Sequence, residues 1–230
     1  MSTVSNWRGP SIVKDGLVLY LDAGSPNSYY DKSSTTWKDI SGGNNNGTLT
    51  NGPTYNADSG GNIVLDGTND YVIGDGINLT TQGTLIVWFK TSVSQNNKYI
   101  IAMPWVSAGS NGFELSLTTT TFRGSVTTTT TGYVEINHIV SYNNNNWHMG
   151  SLTYNSTKSI LYYDGVATSV GTNQVGTLSQ TSNGEYNVGR FGSYGAYFTG
   201  NVGIAQVYDR ALSATEILQN FNATKTRFGL

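Results

Sequence analysis

The stretch FTGNVGIAQVYDRALSATEILQNF, residues 198–221, decides how the chain is read. Its first half is rich in β-branched and aromatic residues and predicts a strand over residues 202–208. Strict alternation would set Ala205 and Val207 on one face and Val202 and Ile204 on the other. Ser213 precedes Glu216 by three residues. In a capping box the serine oxygen accepts from the third helical amide, and the glutamate reaches back to the cap amide. Ile217, Leu218 and Phe221 follow at a spacing that gathers apolar side chains on one helical face. Lys225 and Arg227 come next, toward the negative end of the helix dipole. The segment therefore reads as a strand leading into one short capped helix.

Helix signals are scarce outward from this segment, and strand signals recur. The most apolar run, TLIVWFK at 84–90, predicts a central strand. Further strands are expected over 17–21, 48–50, 63–65, 71–73, 133–140, 147–154, 159–163 and 186–191. Asn-Gly and Asp-Gly pairs such as Asp164-Gly165 punctuate them. The threonine-rich LTTTTFRGSVTTTTT, 117–131, predicts a solvent-facing hairpin. Residues 1–14 read as a polar N-terminal arm, a terminal strand or disordered tail in the favoured reading and a docking arm anchored by Trp7 in the alternative, and residues 15–230 as a single domain. Regular strand spacing with one terminal helix describes an all-β antiparallel sandwich.

Composition narrows the function. Charged residues make up 11% of the chain and the net charge is -2, so there is no basic footprint for nucleic acid. No apolar stretch approaches the ~20 residues that a membrane-spanning helix needs. Cysteine is absent, which removes disulfides and thiolate metal sites. The opening MSTVSNWRGPSIVKDG has no apolar signal-peptide core, so synthesis in a cytoplasm is expected.

Several segments, in order, resemble laminin G-like, concanavalin A-like jelly-roll domains. They are DGLVLYLDAG (15–24), WKDISG (37–42), NNNGTL (44–49), the Asp-Gly hairpin LDGTNDYV (65–72), TLIVWFK (84–90), NWHMGSLTYNSTKSILYYDG (146–165) and YDRALSATEI (208–217). The resemblance implies a jelly-roll sandwich used mostly for binding. GPSIVKDGLVLYLDAG together with ILQNFNATKTRFG looks most like versions from tailed bacteriophages. That implies a virion protein, a capsid decoration or fibre component released by lysis, with other virion proteins, further copies of itself and host-surface glycans as partners. A stand-alone carbohydrate-binding module is the alternative, and a glycoside hydrolase a distant third. The chain departs from the family at Met149 and Gly150, where a second histidine and a valine are common. It departs again at Asn201 and Gly203, where acidic residues are often seen, which weakens a calcium site there.

The chemistry-bearing residues argue against catalysis. Related β-glucan hydrolases resemble one another in a Glu-x-Asp-x-Glu strand that supplies nucleophile and acid/base. This chain has four glutamates, Glu114, Glu135, Glu185 and Glu216, and none stands in that pattern. His138 and His148 sit in strand-like runs, where a structural role is expected. Calcium, a hard cation, would draw on Asp66 and Asp70 with the oxygens of Thr68 and Asn69. An Asx turn at Asp66 is the competing and favoured expectation. The candidate sugar-binding aromatics are Tyr29, Tyr30 and Trp37 in the early loops and Tyr194 and Tyr197 in GSYGAYF. Trp88 and Trp147 are expected in the core.

Overall fold

The computed structural model describes residues 10–105, 111–179 and 183–230. The chain begins with strands β1 (Leu17–Asp22), β2 (Thr36–Trp37), β3 (Gly47–Thr50), β4 (Thr54–Asn56), β5 (Asn62–Asp66) and β6 (Tyr71–Gly74). It continues through β7 (Gly83–Lys90), β8 (Lys98–Trp105), β9 (Asn111–Leu117), β10 (Thr121–Thr128) and β11 (Gly132–Ile139). Strands β12 (Trp147–Tyr154), β13 (Ser159–Tyr163), β14 (Val166–Gly171), β15 (Tyr186–Val188) and β16 (Thr199–Tyr208) follow, then helix α1 (Ala214–Thr224). They form two antiparallel sheets, a jelly-roll sandwich as expected. The back sheet runs β14-β13-β12-β7-β16-β5-β4, with β1 also paired to β16, and the front sheet runs β11-β10-β9-β8-β15-β6-β3-β2.

The apolar run of β7 reflects burial on both faces. Leu85, Val87 and Phe89 point into the core between the sheets, while Ile86 and Trp88 point outward into a second core beneath α1. That second core also takes Trp147, Met149, Ile204, Ile217 and Phe228. The Trp88 ring lies 4.2 Å from Phe228 and 5.7 Å from Phe221, centroid to centroid, and its Nε1 donates to Thr224 Oγ1 at 2.9 Å. Stacked aromatics of this kind add to the stabilisation from area burial alone.

The capping box forms as read. Ser213 Oγ accepts from Glu216 N, and Glu216 Oε2 accepts from Ser213 N at 2.8 Å. Arg210 adds a two-pronged pair to the same carboxylate, at 2.6 and 3.1 Å. Leu218 departs from the expected apolar face: it is exposed, because one residue beyond Ile217 turns it about 100° round the helix. Asn220 takes the inward place instead, accepting from Val13 N at 2.8 Å and donating to Tyr208 OH at 2.9 Å. Arg227 does not serve the helix end but binds Asp22 and the Ser59 carbonyl.

Strand β16 corrects the alternation expected for it. Its register with β7 slips between Val202 and Ile204, so Gly203 is the extra residue of a β-bulge. Val202 therefore faces the main core with Ala205 and Val207, and Ile204 faces the second core. A Cβ on Gly203 would stand 2.7 Å from the Phe228 ring, so the bulge leaves that ring its space.

Three further expectations change. Thr127 and Thr128 are buried, so the solvent-facing part of the threonine run is confined to the turns at residues 119–120 and 129–131. Strands β5 and β6 belong to different sheets, so the loop at Asp66-Gly67 is a crossing between layers and not a hairpin. Strand β8 has no counterpart among the segments read from the sequence. Of the N-terminal arm, residues 1–9, Trp7 included, lie outside the described residues, while Ile12 and Val13 are buried. Among the described residues no helix is long and apolar enough to cross a membrane.

Candidate functional site

The outer face of the front sheet gathers charged and polar side chains where the outer face of the back sheet is largely apolar. On β6, Val72 points into the core, and alternation turns Tyr71 and Ile73 outward. On β15, Tyr186 and Val188 point inward and Asn187 outward, opposite Ile73. Gly189 then bends the chain at φ 88°; a Cβ there would strike Leu65 at 2.5 Å. The bend delivers Arg190 over β6, with its guanidinium 3.5 Å from the Tyr71 ring centroid. Arg190 Nε donates to Asn187 Oδ1 at 2.6 Å, and Asn187 Nδ2 donates to Glu185 Oε1 at 2.7 Å. Tyr197 returns from the following loop to within 6.3 Å of Tyr71, ring to ring.

Beside this cluster lies an open groove of about 260 Å³, lined by Asn46, Thr48, Ile73, Asp75, Asn183 and Glu185. Ile73 and Glu185 make the groove and the Tyr71–Arg190 pair one continuous surface. Aromatic rings, amides, hydroxyls, carboxylates and a guanidinium within one shallow surface can take a polyhydroxylated ligand.

Farther along the same face, Glu114 on β9 lies opposite Ser125 on β10, which lies opposite Glu135 on β11. Glu114 is fully enclosed and neither of its carboxyl oxygens has a hydrogen-bond partner. Burial pushes its pKa up to about 8, against the opposing pull of Arg123. Arg123 spends its donors on Ser116 Oγ (2.9 Å), Asn97 Oδ1 (3.2 Å) and Glu135 Oε2 (3.4 Å), while the Ser125 hydroxyl is 3.1 Å from Tyr133 OH. The sequence reading passed over this row, because pairing across three strands is not visible in local spacing. An enclosed carboxyl cannot reach a glycosidic oxygen, and Glu135, the exposed carboxyl of the row, is paired with Arg123 at 3.4 Å.

The sequence profile described as Concanavalin A-like lectin/glucanases superfamily matches residues 66–218. The chain belongs to this laminin G-like family. No curated protein matches its sequence. Among solved structures, the binding domain of Paraclostridial Mosquitocidal Protein 1 superposes with a TM-score of 0.71 at 17% identity, over 91% of this chain and 52% of that one. The receptor binding domain of botulinum neurotoxin D gives 0.70 at 16%, over 90% and 52%. The serotype D ligand binding domain in complex with N-acetylneuraminic acid gives 0.69 at 15%, over 91% and 51%. The chain thus spans about half the length of these structures, and at such identity the likeness establishes the fold.

Within this laminin G-like domain, the aromatics singled out from the sequence part ways. Trp37 is fully buried, and Tyr29 is 2% exposed with its hydroxyl donating to Ser34 O at 2.7 Å. Both are corrected to core residues, since a ring packed on all sides offers no face to a sugar. Tyr30 stands 83% exposed, and Tyr194 is 66% exposed on a 3-10 turn three residues before Tyr197. Of the five, the structure joins Tyr197 to the Tyr71–Arg190 cluster. Tyr71 and Arg190 were missed, although an arginine set between Gly189 and Gly192 in an otherwise charge-poor segment was a usable signal.

In the loop from Asp66 to Asp70, one oxygen of each aspartate accepts from backbone amides of the loop. Asp66 Oδ1 accepts from Thr68 N at 2.8 Å and Asn69 N at 3.3 Å, and these bonds hold its carboxyl below the usual range. Asp70 Oδ2 accepts from Asp66 N at 3.2 Å. This is Asx-turn geometry. Among the described residues no three His, Asp or Glu side chains converge as a metal site. His148 is held between Asp164 Oδ2 (2.9 Å) and Asn144 Oδ1 (3.1 Å), and the His138 ring lies against Tyr163. Trp88 and Trp147 are buried, in the second core under α1.

Proposed function

We propose that this domain is a non-catalytic glycan-binding module whose ligand lies on the outer face of the front sheet, against Tyr71, Arg190 and Tyr197. The observation that carries this reading is the Arg190 guanidinium stacked 3.5 Å from Tyr71, beside a groove lined by hydroxyl, amide and carboxylate groups. Aromatic faces accept the C–H face of a sugar ring, and the groove supplies partners for its hydroxyls. The sugar-bound state of the solved serotype D domain supports the ligand class. The enclosure of Glu114 supports the absence of hydrolysis. A glycan array of the purified chain, followed by titration of the best ligand against Tyr71→Ala and Tyr197→Ala, tests the reading. Specific binding that weakens in both variants is expected. Silence on the array, or affinity indifferent to both changes, overturns it.

The wider setting of the proposal is the outside of a virus particle, as a capsid decoration or a fibre component, with residues 1–14 as the docking arm. A composition with only 11% charged residues supports it, together with the resemblance of GPSIVKDGLVLYLDAG and ILQNFNATKTRFG to bacteriophage versions of the fold. Mass spectrometry of purified particles should find the chain in them, and removal of residues 1–14 should reduce its incorporation.

A further inference from the structure

We propose that the glycan bound here carries an oxyanion, a carboxylate or a sulfate, and that Arg190 receives it. The inference rests on the reading of the front face as a glycan site, and adds the charge of the ligand and its direction in the groove.

The argument starts from the arginines. Four of them lie among the described residues, and three have carboxylate partners: Arg123 with Glu135, Arg210 with Asp15 and Glu216, and Arg227 with Asp22. Arg190 has no carboxylate within ion-pair distance among the described residues. In a protein with so few charges, an arginine held on a built surface without a counter-ion is a receptor for one. Its plane is fixed twice, by the stack on Tyr71 and by the Nε bond to Asn187. Asn187 is itself held by Glu185. Of the five guanidinium N–H groups, the one on Nε is used, which leaves the four on the two terminal nitrogens. That edge matches two oxygens of a carboxylate or sulfate side by side. A side chain already immobilised loses little further rotamer freedom on binding.

The groove sets the direction. Its lining includes Asp75 and Glu185, which accept from sugar hydroxyls and repel a second anion. The negative substituent therefore lies at the Arg190 end, and the hydroxyl-bearing rings run toward Asp75. Tyr197, tilted 33° from Tyr71, borders the Arg190 end.

The test compares matched sugars on the full chain. A glucuronate-bearing oligosaccharide is titrated beside its methyl ester, and a sulfated oligosaccharide beside its desulfated form. The charged member of at least one pair should bind about tenfold tighter, and the preference should shrink with added salt. Whichever pair responds identifies the oxyanion. In Arg190→Gln the preference should fall to near unity, and in Arg190→Lys it should survive only in part, because an ammonium lacks the two-pronged edge. Thermal melting of both variants guards against misfolding, and the wild-type comparison needs no variant. Equal binding of charged and neutral members, or a preference that survives Arg190→Gln, overturns the oxyanion and leaves the glycan site standing. Binding of none of the four sugars, with a silent array, overturns both.

Discussion

On the outer side of the back sheet, Ile86, Trp88, Met149 and Ile204 meet the underside of α1 and the Phe228 ring. The outer side of the front sheet carries Tyr71, Arg123, Glu114, Ser125 and Glu135, together with a small apolar cluster of Tyr99, Ala102 and Phe191 beside the 3-10 turn Gly192–Tyr194, and among the described residues no α-helix lies over it. The two faces of one sandwich thus differ in side-chain chemistry, a large apolar core on the back and a mostly polar row beside a small apolar cluster on the front. Apolar side chains need cover, and the C-terminal helix is the cover. Polar side chains can satisfy one another, as Arg123 does with Ser116, Asn97 and Glu135, or can lack an ion-pair partner among the described residues, as Arg190 does. The comparison sets most of the stability beyond the main core on the back face and the proposed recognition surface on the front.

The sharpest way to break the comparison is Trp88→Ala. Its ring is 1% exposed and fills the space between β7, Phe221 and Phe228. The loss should be about 3–5 kcal/mol, read as a fall in the denaturant midpoint. A loss no larger than that of an exposed residue would mean that α1 is not a structural cover.

Second comes a difference in pH response between the faces. Glu114 has its folded pKa raised to about 8 from 4.5 by burial. Between those values the folded state keeps a proton that the unfolded state releases, so stability falls as pH rises, by up to about 1.4 kcal/mol per pH unit. Below pH 4.5 this contribution is flat. Glu114→Gln should remove the slope and melt higher than the parent near pH 8. An unchanged slope would mean that the carboxyl is not held neutral. Glu216 on the back face behaves in the opposite sense. Arg210, then the Ser213 cap, lower its pKa from 4.5 to about 2. Its contribution is therefore complete above pH 4.5 and is lost as pH falls toward 2. Glu216→Ala should cost about 1 kcal/mol at neutral pH and less in acid. Equal losses at pH 7 and pH 2 would contradict the assigned ion pair.

Much of the back face was legible in the sequence, because its signals are local. Ser213 and Glu216 stand three residues apart and form the cap they announce, and the run at 84–90 is buried as its composition demands. The strand of the opening segment was legible in extent but not in facing. One extra residue at Gly203 shifts Val202 to the other side, and a bulge of this kind leaves no mark on composition. The front face was largely illegible. Tyr71 and Arg190 are brought together by the β6–β15 pairing, and Glu114 and Glu135 by β9–β10–β11. Such contacts depend on register between distant segments. Tyr29 and Trp37 show the converse limit: an aromatic in a loop reads the same whether it plugs the core or faces a ligand, since burial is a property of the whole fold.

The finest test is Tyr197→Ala, where the expected change in stability is smallest and the expected change in binding is not. Tyr197 is half-buried and belongs to none of the three apolar clusters, and its ring contact is with Tyr71 at 6.3 Å. Removing it should shift stability by no more than about 0.5 kcal/mol, while the affinity for the best array ligand falls severalfold. Trp88→Ala should show the reverse pattern, with a large loss of stability and unchanged affinity in the fraction that remains folded. The two variants form a crossed pair, since each face is read by the assay to which the other is silent. If Tyr197→Ala destabilised the chain as Trp88→Ala does, Tyr71 and Tyr197 would be part of a packed cluster like that of Tyr99, Ala102 and Phe191. Arg190 would then be a stacked structural cation and the groove beside it an empty seam. Near-native melting with weakened binding places the recognition surface where the unpaired guanidinium lies.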